Sequence, residues 1–126
     1  MQIAIVEDIT SEREHLKAEL DVQLARLSLN AVTFEYASGS DFLAAAGKER
    51  FDLVFLDIYM GNENGVDTAR ALRRFDEDCM LVFTTTSTDH ALEGFRVRAF
   101  HYLVKPCTEA DMAALFDEII KRLPAD

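Results

Sequence analysis

Short apolar runs alternate along this chain with longer stretches of mixed apolar and polar residues. The runs are four or five residues long and rich in β-branched and aromatic side chains, which favours strands. They cover residues 3–6, 32–36, 53–56, 80–83 and 100–104. The third and fourth runs do not alternate with polar residues, which is typical of strands buried on both faces of a parallel sheet.

The first and last stretches outside these runs carry the clearest helical signals. An apolar stripe at helical spacing lies between the first two runs and consists of Leu16, Leu20, Leu24 and Leu27. Ser11, with Glu14 three residues later, predicts a capping box at the start of this helix. Thr108 predicts the cap of a last helix, whose apolar positions are Met112, Leu115, Phe116, Ile119 and Leu123.

Three shorter helices are predicted between these two, over residues 39–46, 66–73 and 90–95. The order of elements is therefore strand then helix, repeated five times. Such alternation implies an α/β fold in which helices cover both faces of a parallel sheet through right-handed crossovers. With 126 residues, the chain has the length of one domain.

Charge and cysteine content narrow the function classes. There are 23 acidic and 13 basic residues, giving a formal net charge of −10, so the chain alone is a poor binder of nucleic acid. Cys79 and Cys107 are far apart and lack partners at metal-ligand spacing, which predicts two reduced thiols. There is no basic leader and no apolar stretch of membrane-spanning length, so we expect a cytoplasmic protein without a membrane partner.

Polar side chains with useful chemistry follow four of the predicted strands. Glu7 and Asp8 follow the first, Asp57 the third, Thr84–Thr86 the fourth, and Lys105 the fifth. Ligands of open α/β sheets bind outside the carboxyl ends of the strands, so these groups are expected at one rim. Two like charges about 4 Å apart repel by about 4 kcal/mol at an effective dielectric of about 20. The acidic cluster therefore predicts a divalent cation, and Mg²⁺ prefers oxygen ligands of this kind.

Together these residues resemble the receiver domains of two-component response regulators. The resemblance depends on Glu7-Asp8, on residues 57–60 (Asp-Ile-Tyr-Met), on Thr85 and on Lys105-Pro106, in that order and on matching strand ends. It covers essentially the whole chain, residues 1–126. It implies a (βα)5 doubly wound, flavodoxin-like fold with strand order 2-1-3-4-5.

The resemblance also implies a role for each residue of the motif. Asp57 is expected to be the phosphoacceptor, with Lys105 and Thr85 contacting phosphoryl oxygens. The implied Mg²⁺ ligands are Asp8, Asp57, the main-chain carbonyl of Tyr59 and, through water, Glu7. Thr85, chosen from its threonine neighbours by register, and Tyr102 are the expected switch residues, and the Lys105–Pro106 peptide bond is expected to be cis.

One departure from the family pattern lies after the acceptor. Receivers often have Met-Pro where this chain has Met60-Gly61, and Gly61 together with the nearby Asn62, Asn64 and Gly65 predicts a more mobile loop. The effect of this loop on metal and phosphate binding is left open.

A narrower resemblance points to receivers that precede LytTR-type DNA-binding domains. It depends on residues 89–95 (Asp-His-Ala-Leu-Glu-Gly-Phe) and 99–106 (Ala-Phe-His-Tyr-Leu-Val-Lys-Pro), in which Gly94 and His101 depart from the pattern. No effector domain follows in this chain. A piece of a longer regulator is favoured over a stand-alone receiver, and DNA would be reached only through the missing domain.

The predicted function is a signalling switch. A sensor histidine kinase would donate a phosphoryl group to Asp57, and the surface of the fourth helix, fifth strand and fifth helix would change, with a homodimer on phosphorylation as a further expected partner state. The domain would catalyse only its own phosphorylation and dephosphorylation. Two alternatives stay open: a Mg²⁺-dependent phosphatase, which usually has a second acid where this chain has Tyr59, and an interaction module that works without phosphate.

Overall fold

A central five-stranded parallel sheet forms the core of the computed structural model, which describes residues 1–86 and 96–123. Its strands are β1 (Gln2–Val6), β2 (Val32–Tyr36), β3 (Leu53–Asp57), β6 (Met80–Thr85) and β7 (His101–Val104). Two short strands, β4 (Tyr59–Met60) and β5 (Glu63–Asn64), pair antiparallel as a hairpin directly after β3. The sheet order is β2-β1-β3-β6-β7. Without the hairpin strands this is 2-1-3-4-5, so the predicted fold is confirmed.

The helices cover both faces of this sheet. They are α1 (Thr10–Arg26), α2 (Gly39–Ala46), α3 (Gly65–Arg73) and a C-terminal helix (Glu109–Ile120). Helices α2 and α3 pack on one face, and α1 and the C-terminal helix pack on the other. Within residues 1–86 and 96–123, every helix is too short or too polar to span a bilayer.

The absence of alternation in the central strands follows from this two-sided burial. Successive side chains of a strand point to opposite faces. Ala4 and Val6 therefore join the core beneath α2 and α3, while Ile3 and Ile5 join the core beneath α1 and the C-terminal helix. All five residues of β3 are buried in the same way.

The observed helix ends agree with the predictions at most positions. Helix α2 has the predicted bounds, and Thr108 caps the C-terminal helix in a capping box with Asp111. The predicted box at Ser11 and Glu14 is wrong, because α1 begins at Thr10 and its N-cap is Ile9, which provides no side-chain hydrogen bond. Ser11 thus lies inside the first turn. The helix predicted over residues 90–95 lies outside the described residues.

A buried arginine joins three segments at the opposite end of the sheet from the site described below. Arg73, at the end of α3, donates hydrogen bonds to four main-chain carbonyl groups. The acceptors are Val97 at 2.7 Å, Cys79 at 2.9 Å, Arg98 at 3.0 Å and Asp76 at 3.3 Å. One planar side chain with five donors can satisfy such a set, so Arg73 holds the start of β6 against the segment that leads into β7.

Candidate functional site

The carboxyl ends of β1, β3 and β7 bring the predicted acids and lysine together. Glu7 follows β1 and its N–H donates to the carbonyl of Tyr36, 3.0 Å away. Asp57 is the last residue of β3, and Lys105 follows β7, where its N–H donates to the carbonyl of Thr85 at 2.7 Å. Each functional side chain is therefore placed by the main-chain ladder of the sheet.

Three carboxyl groups meet at this edge. One oxygen from each of Glu7, Asp8 and Asp57 lies within 4.8 Å of the others. Glu7 and Asp57 are almost completely buried, with 1% and 2% of their surface exposed, while Asp8 is exposed to solvent. Buried carboxylates at such spacing repel strongly unless a cation offsets them.

Lys105 supplies part of that positive charge. Its Nζ lies 3.0 Å from Oε1 of Glu7, 3.3 Å from Oδ1 of Asp57 and 3.5 Å from Oε2 of Glu12. Glu12 was not predicted as a site residue. It comes from the first turn of α1, and no local pattern reveals that this turn faces the end of β7.

The ionisable groups of this cluster shift one another's pKa values. Burial, followed by hydrogen-bonded contact with Asp57 and Glu12, raises the pKa of Glu7 to about 9, although Lys105 acts in the opposite direction. Burial alone would lower the pKa of Lys105, but the neighbouring carboxylates, first among them Glu7, outweigh it and raise that pKa. Contact with Glu7 lowers the pKa of Glu12. One lysine is therefore too little positive charge for the acids gathered here.

The donor atoms fit the implied Mg²⁺. All are oxygens, and hard divalent cations of this size prefer carboxylate, carbonyl and water oxygens. Oε2 of Glu7 is buried and accepts no hydrogen bond from the described part of the chain. The loop after β3 passes close to the acids, since a Cβ on Gly61, which has φ of +56°, would lie 3.9 Å from Oδ2 of Asp8. A cation among these groups would offset the repulsion and would give Oε2 of Glu7 a partner once that carboxyl group is ionised.

The chain leaves Asp57 along a tightly packed path. The N–H of Tyr59 approaches Oδ1 of Asp57 at 3.4 Å, and the N–H of Gly65 donates to the carbonyl of Ile58 at 2.7 Å. A Cβ at Gly65 would lie 2.8 Å from Cα of Ile58 and closer still to the carbonyl oxygen of Asp57. Only glycine can occupy this position without moving the main chain that carries Asp57.

The predicted switch residues lie on β6 and β7, the two strands that follow β3 in the sheet order. Thr84 pairs with Asp57 in the ladder, and Thr85, the next residue, is fully buried at the end of β6. Tyr102 is half-buried, and its ring centroid lies 5.4 Å from that of Phe83 at an angle of 36°. The peptide bond between Lys105 and its neighbouring proline, Pro106, is cis, in agreement with the expectation.

Known proteins with similar sequences agree with the fold described above. The family model of the response regulator receiver domain matches residues 3–117. The chain is 29% identical over 119 residues to the transcriptional regulatory protein YpdB of Escherichia coli K12, an alignment covering 94% of this chain and 47% of YpdB. It is 30% identical over 109 residues to the sensory transduction protein LytT of Bacillus anthracis, covering 86% of this chain and 43% of LytT.

Solved structures agree with these relatives. The response regulatory domain of MrkE from Klebsiella pneumoniae superposes with a TM-score of 0.85 at 25% identity, covering 97% of each chain. The chemotaxis protein CheY4 of Vibrio cholerae superposes with a TM-score of 0.75 at 26% identity, covering 97% of this chain and 98% of CheY4.

The relatives also bear on the narrower resemblance. The chain spans less than half the length of the curated relatives named here. The likeness to receivers of LytTR-type regulators is confirmed by those relatives, LytT among them. With the fold, the acidic edge and the matching family model together, the chain belongs to the response regulator receiver domain family of two-component signalling.

Proposed function

We propose that this receiver domain accepts a phosphoryl group on Asp57 from a phosphorylated histidine of a sensor kinase. The observation that carries this proposal is the arrangement around Asp57. Its buried carboxylate lies 3.3 Å from the ammonium group of Lys105 and within 4.8 Å of two further acids. A nucleophile, a cation-binding cluster and a positive group for phosphoryl oxygens are thereby brought together.

The transfer is a displacement at phosphorus. A carboxylate oxygen of Asp57 forms a new P–O bond while the P–N bond to the donor imidazole breaks, and the imidazole takes up a proton as it leaves. Lys105 and the hydroxyl group of Thr85 bind oxygens of the transferred group and offset its charge. Hydrolysis of the resulting acyl phosphate by water returns the carboxylate, so the domain promotes only its own phosphorylation and dephosphorylation.

The proposed Mg²⁺ site uses the acids at the same edge. Asp8, Asp57 and the main-chain carbonyl of Tyr59 would hold the ion directly, and Glu7 would reach it through water. When bound, Mg²⁺ supplies positive charge that neutralises the carboxylates and phosphoryl oxygens. The exposure of Asp8 leaves the cluster open to solvent and to a phosphodonor.

The response passes from the acceptor to the neighbouring strands. Thr85 moves toward the bound phosphoryl group, and Tyr102 changes rotamer in the space next to it. The surface formed by the predicted fourth helix, β7 and the C-terminal helix is thereby remodelled and supports a homodimer. In a longer cytoplasmic regulator, the change controls a DNA-binding domain outside this chain. The regulatory names of relatives more than twice as long support this part of the proposal.

Intact-mass spectrometry after incubation with acetyl phosphate and Mg²⁺ tests the acceptor. We expect the mass of one phosphoryl group to be added to the wild type and none to Asp57→Asn. The matched control is Asp67→Asn, which removes an exposed carboxylate on α3 and should leave phosphorylation unchanged. Phosphorylation of Asp57→Asn would show that another residue is the acceptor.

The same samples separate the two alternatives. Release of inorganic phosphate from a phosphate ester in large molar excess over protein would favour a phosphatase. Failure of the wild type to bind Mg²⁺ or to gain a phosphoryl group would favour an interaction module that works without phosphate.

A further inference from the structure

A glutamate in the hairpin after Asp57 binds the start of a different helix. The carboxylate of Glu63 accepts hydrogen bonds from the N–H of Gly39 at 2.8 Å and from the N–H of Ser40 at 3.1 Å. It also accepts one from the Ser40 hydroxyl group at 2.5 Å. The first N–H groups of a helix lack partners within the helix, and they favour a negative charge. Hydrogen bonding to Ser40 accordingly lowers the pKa of Glu63.

Helix α2 is capped and packed against α3 independently of its contact with Glu63. Its own N-cap is complete without Glu63, because the side chain of Ser38 accepts from the N–H of Asp41 at 3.1 Å. Its first residue packs directly on α3, since a Cβ at Gly39 would lie 3.3 Å from Cβ of Thr68 and closer still to the hydroxyl oxygen. Glu63 is therefore an additional cap, contributed from 23 and 24 residues away.

The contact extends to the metal-binding edge through the hairpin. Glu63 pairs with Met60, and the next residue, Asn64, pairs with Tyr59. The N–H of Tyr59 also approaches Asp57. Immobilising Glu63 on α2 therefore fixes the main chain on which the carbonyl group of Tyr59 is carried.

We propose that Glu63 is a positioning residue, which holds the hairpin on α2 so that the Tyr59 carbonyl stays in place for Mg²⁺. This inference rests on the proposed function, because it assigns that carbonyl group to the metal site. Glu63 does not contact the acidic cluster itself in this scheme. It acts through the strand pairing between Glu63 and Met60.

Mg²⁺ titration by calorimetry, paired with thermal denaturation in EDTA, tests the proposal. We expect Glu63→Ala to raise the Kd for Mg²⁺ about tenfold, the lower end of the range for groups that hold metal ligands in place. Glu63→Gln, which keeps one carbonyl acceptor, should recover part of this loss. Ser40→Ala, which removes one donor to Glu63 on α2, should weaken Mg²⁺ binding in the same direction by a smaller factor.

Ser38→Ala is the matched control because it removes the other cap of the same helix. It should lower the Tm but leave the Kd for Mg²⁺ within about twofold of the wild type. Equal Mg²⁺ affinity in Glu63→Ala and Ser38→Ala would show that Glu63 is only a helix cap, and would overturn the proposal. If Glu63→Ala fails to fold, unchanged Mg²⁺ affinity in both Glu63→Gln and Ser40→Ala would overturn it equally.

The outcome for the wild type separates this inference from the proposed function. Wild-type protein that binds no Mg²⁺ would overturn the metal site and the role of Glu63 together. Wild-type protein that binds Mg²⁺ and accepts a phosphoryl group, alongside a Glu63→Ala variant with unchanged affinity, would overturn the role of Glu63 alone.

Discussion

Replacing Gly65 by alanine tests whether the packing around Asp57 is as tight as described. In most helices this change is favourable by up to about 1 kcal/mol, because alanine loses less backbone freedom on folding. Here the new methyl group would lie 2.8 Å from Cα of Ile58 and 2.9 Å from the carbonyl carbon of Asp57. Ordinary carbon contacts begin near ~3.5 Å. The clash involves main-chain atoms, so no change of side-chain rotamer relieves it.

The magnitude follows from this overlap. Overpacking typically costs about 1–3 kcal/mol, and a clash with main-chain atoms places Gly65→Ala near about 3 kcal/mol. An unfolding entropy of about 2.1 cal/mol/K per residue over 126 residues gives about 0.26 kcal/mol/K. The expected fall in Tm is therefore about 11 °C. Because the main chain of Asp57 must also shift, phosphorylation by acetyl phosphate should fall as well.

The assay is thermal denaturation followed by circular dichroism, with intact-mass measurement of phosphorylation. Gly47→Ala is the control, because Gly47 has helical φ and ψ and an added Cβ would meet its nearest neighbours, two main-chain oxygens, at 3.7 Å. That variant should be neutral or up to about 1 kcal/mol more stable. If Gly65→Ala and Gly47→Ala had the same Tm and were phosphorylated to the same extent, the predicted clash at Gly65 would be refuted.

Two further predictions concern buried groups that take no part in the proposed chemistry. Arg73→Met should lower the free energy of unfolding by about 3 kcal/mol or more, because it leaves buried carbonyl groups without donors. In urea denaturation the control Arg74→Met, which changes the exposed neighbouring residue, should stay within about 0.5 kcal/mol of the wild type. Equal urea midpoints for the two variants would contradict the predicted role of Arg73. Burial raises the pKa of both Cys79 and Cys107 to about 11, so at pH 8 only about one thiol in 1,000 is ionised. At pH 8, alkylation of the two thiols should be about 100-fold faster in urea than in the native protein. Equal alkylation rates in urea and in the native protein would show that burial does not raise the pKa of these thiols.

The sheet was predictable because strands buried on two faces have apolar side chains at every position. The strand bounds agree with the apolar runs except at four ends, two of which differ by one residue because β1 begins at Gln2 and β3 ends at Asp57. The predicted fourth strand continues to Thr85, because Thr84 and Thr85 keep ladder partners on β7, and the last strand begins at His101 instead of Phe100. Strand ends are set by pairing with neighbours, which apolar content alone does not record.

The acidic edge was predictable for a related reason. Parallel strands place their carboxyl ends on one side, so Glu7, Asp8, Asp57 and Lys105 had to approach one another once the strands were assigned. The Glu12 contact with Lys105 was not predictable, because it depends on the direction in which α1 leaves β1.

The hairpin after Asp57 shows a second limit of pattern reasoning. Its two strands have only two residues each, too few for a periodic signal. The glycine and asparagine residues of this segment predicted a mobile loop, and nothing in their pattern indicated that residues 59–60 and 63–64 pair as strands. Contact between Glu63 and Ser40 brings in a helix from another part of the chain, which no local window contains.

The contact between Lys105 and Glu7 joins residues that are 98 positions apart. During synthesis on the ribosome, Asp57 therefore emerges long before the ammonium group that would assist its chemistry. On the proposed function, an unfinished chain cannot receive a signal, since its acceptor has neither a neighbouring lysine nor a closed sheet. Phosphorylation therefore requires the whole folded domain, and unfolding of either β1 or β7 would separate Glu7 from Lys105 and prevent a further round of phosphorylation.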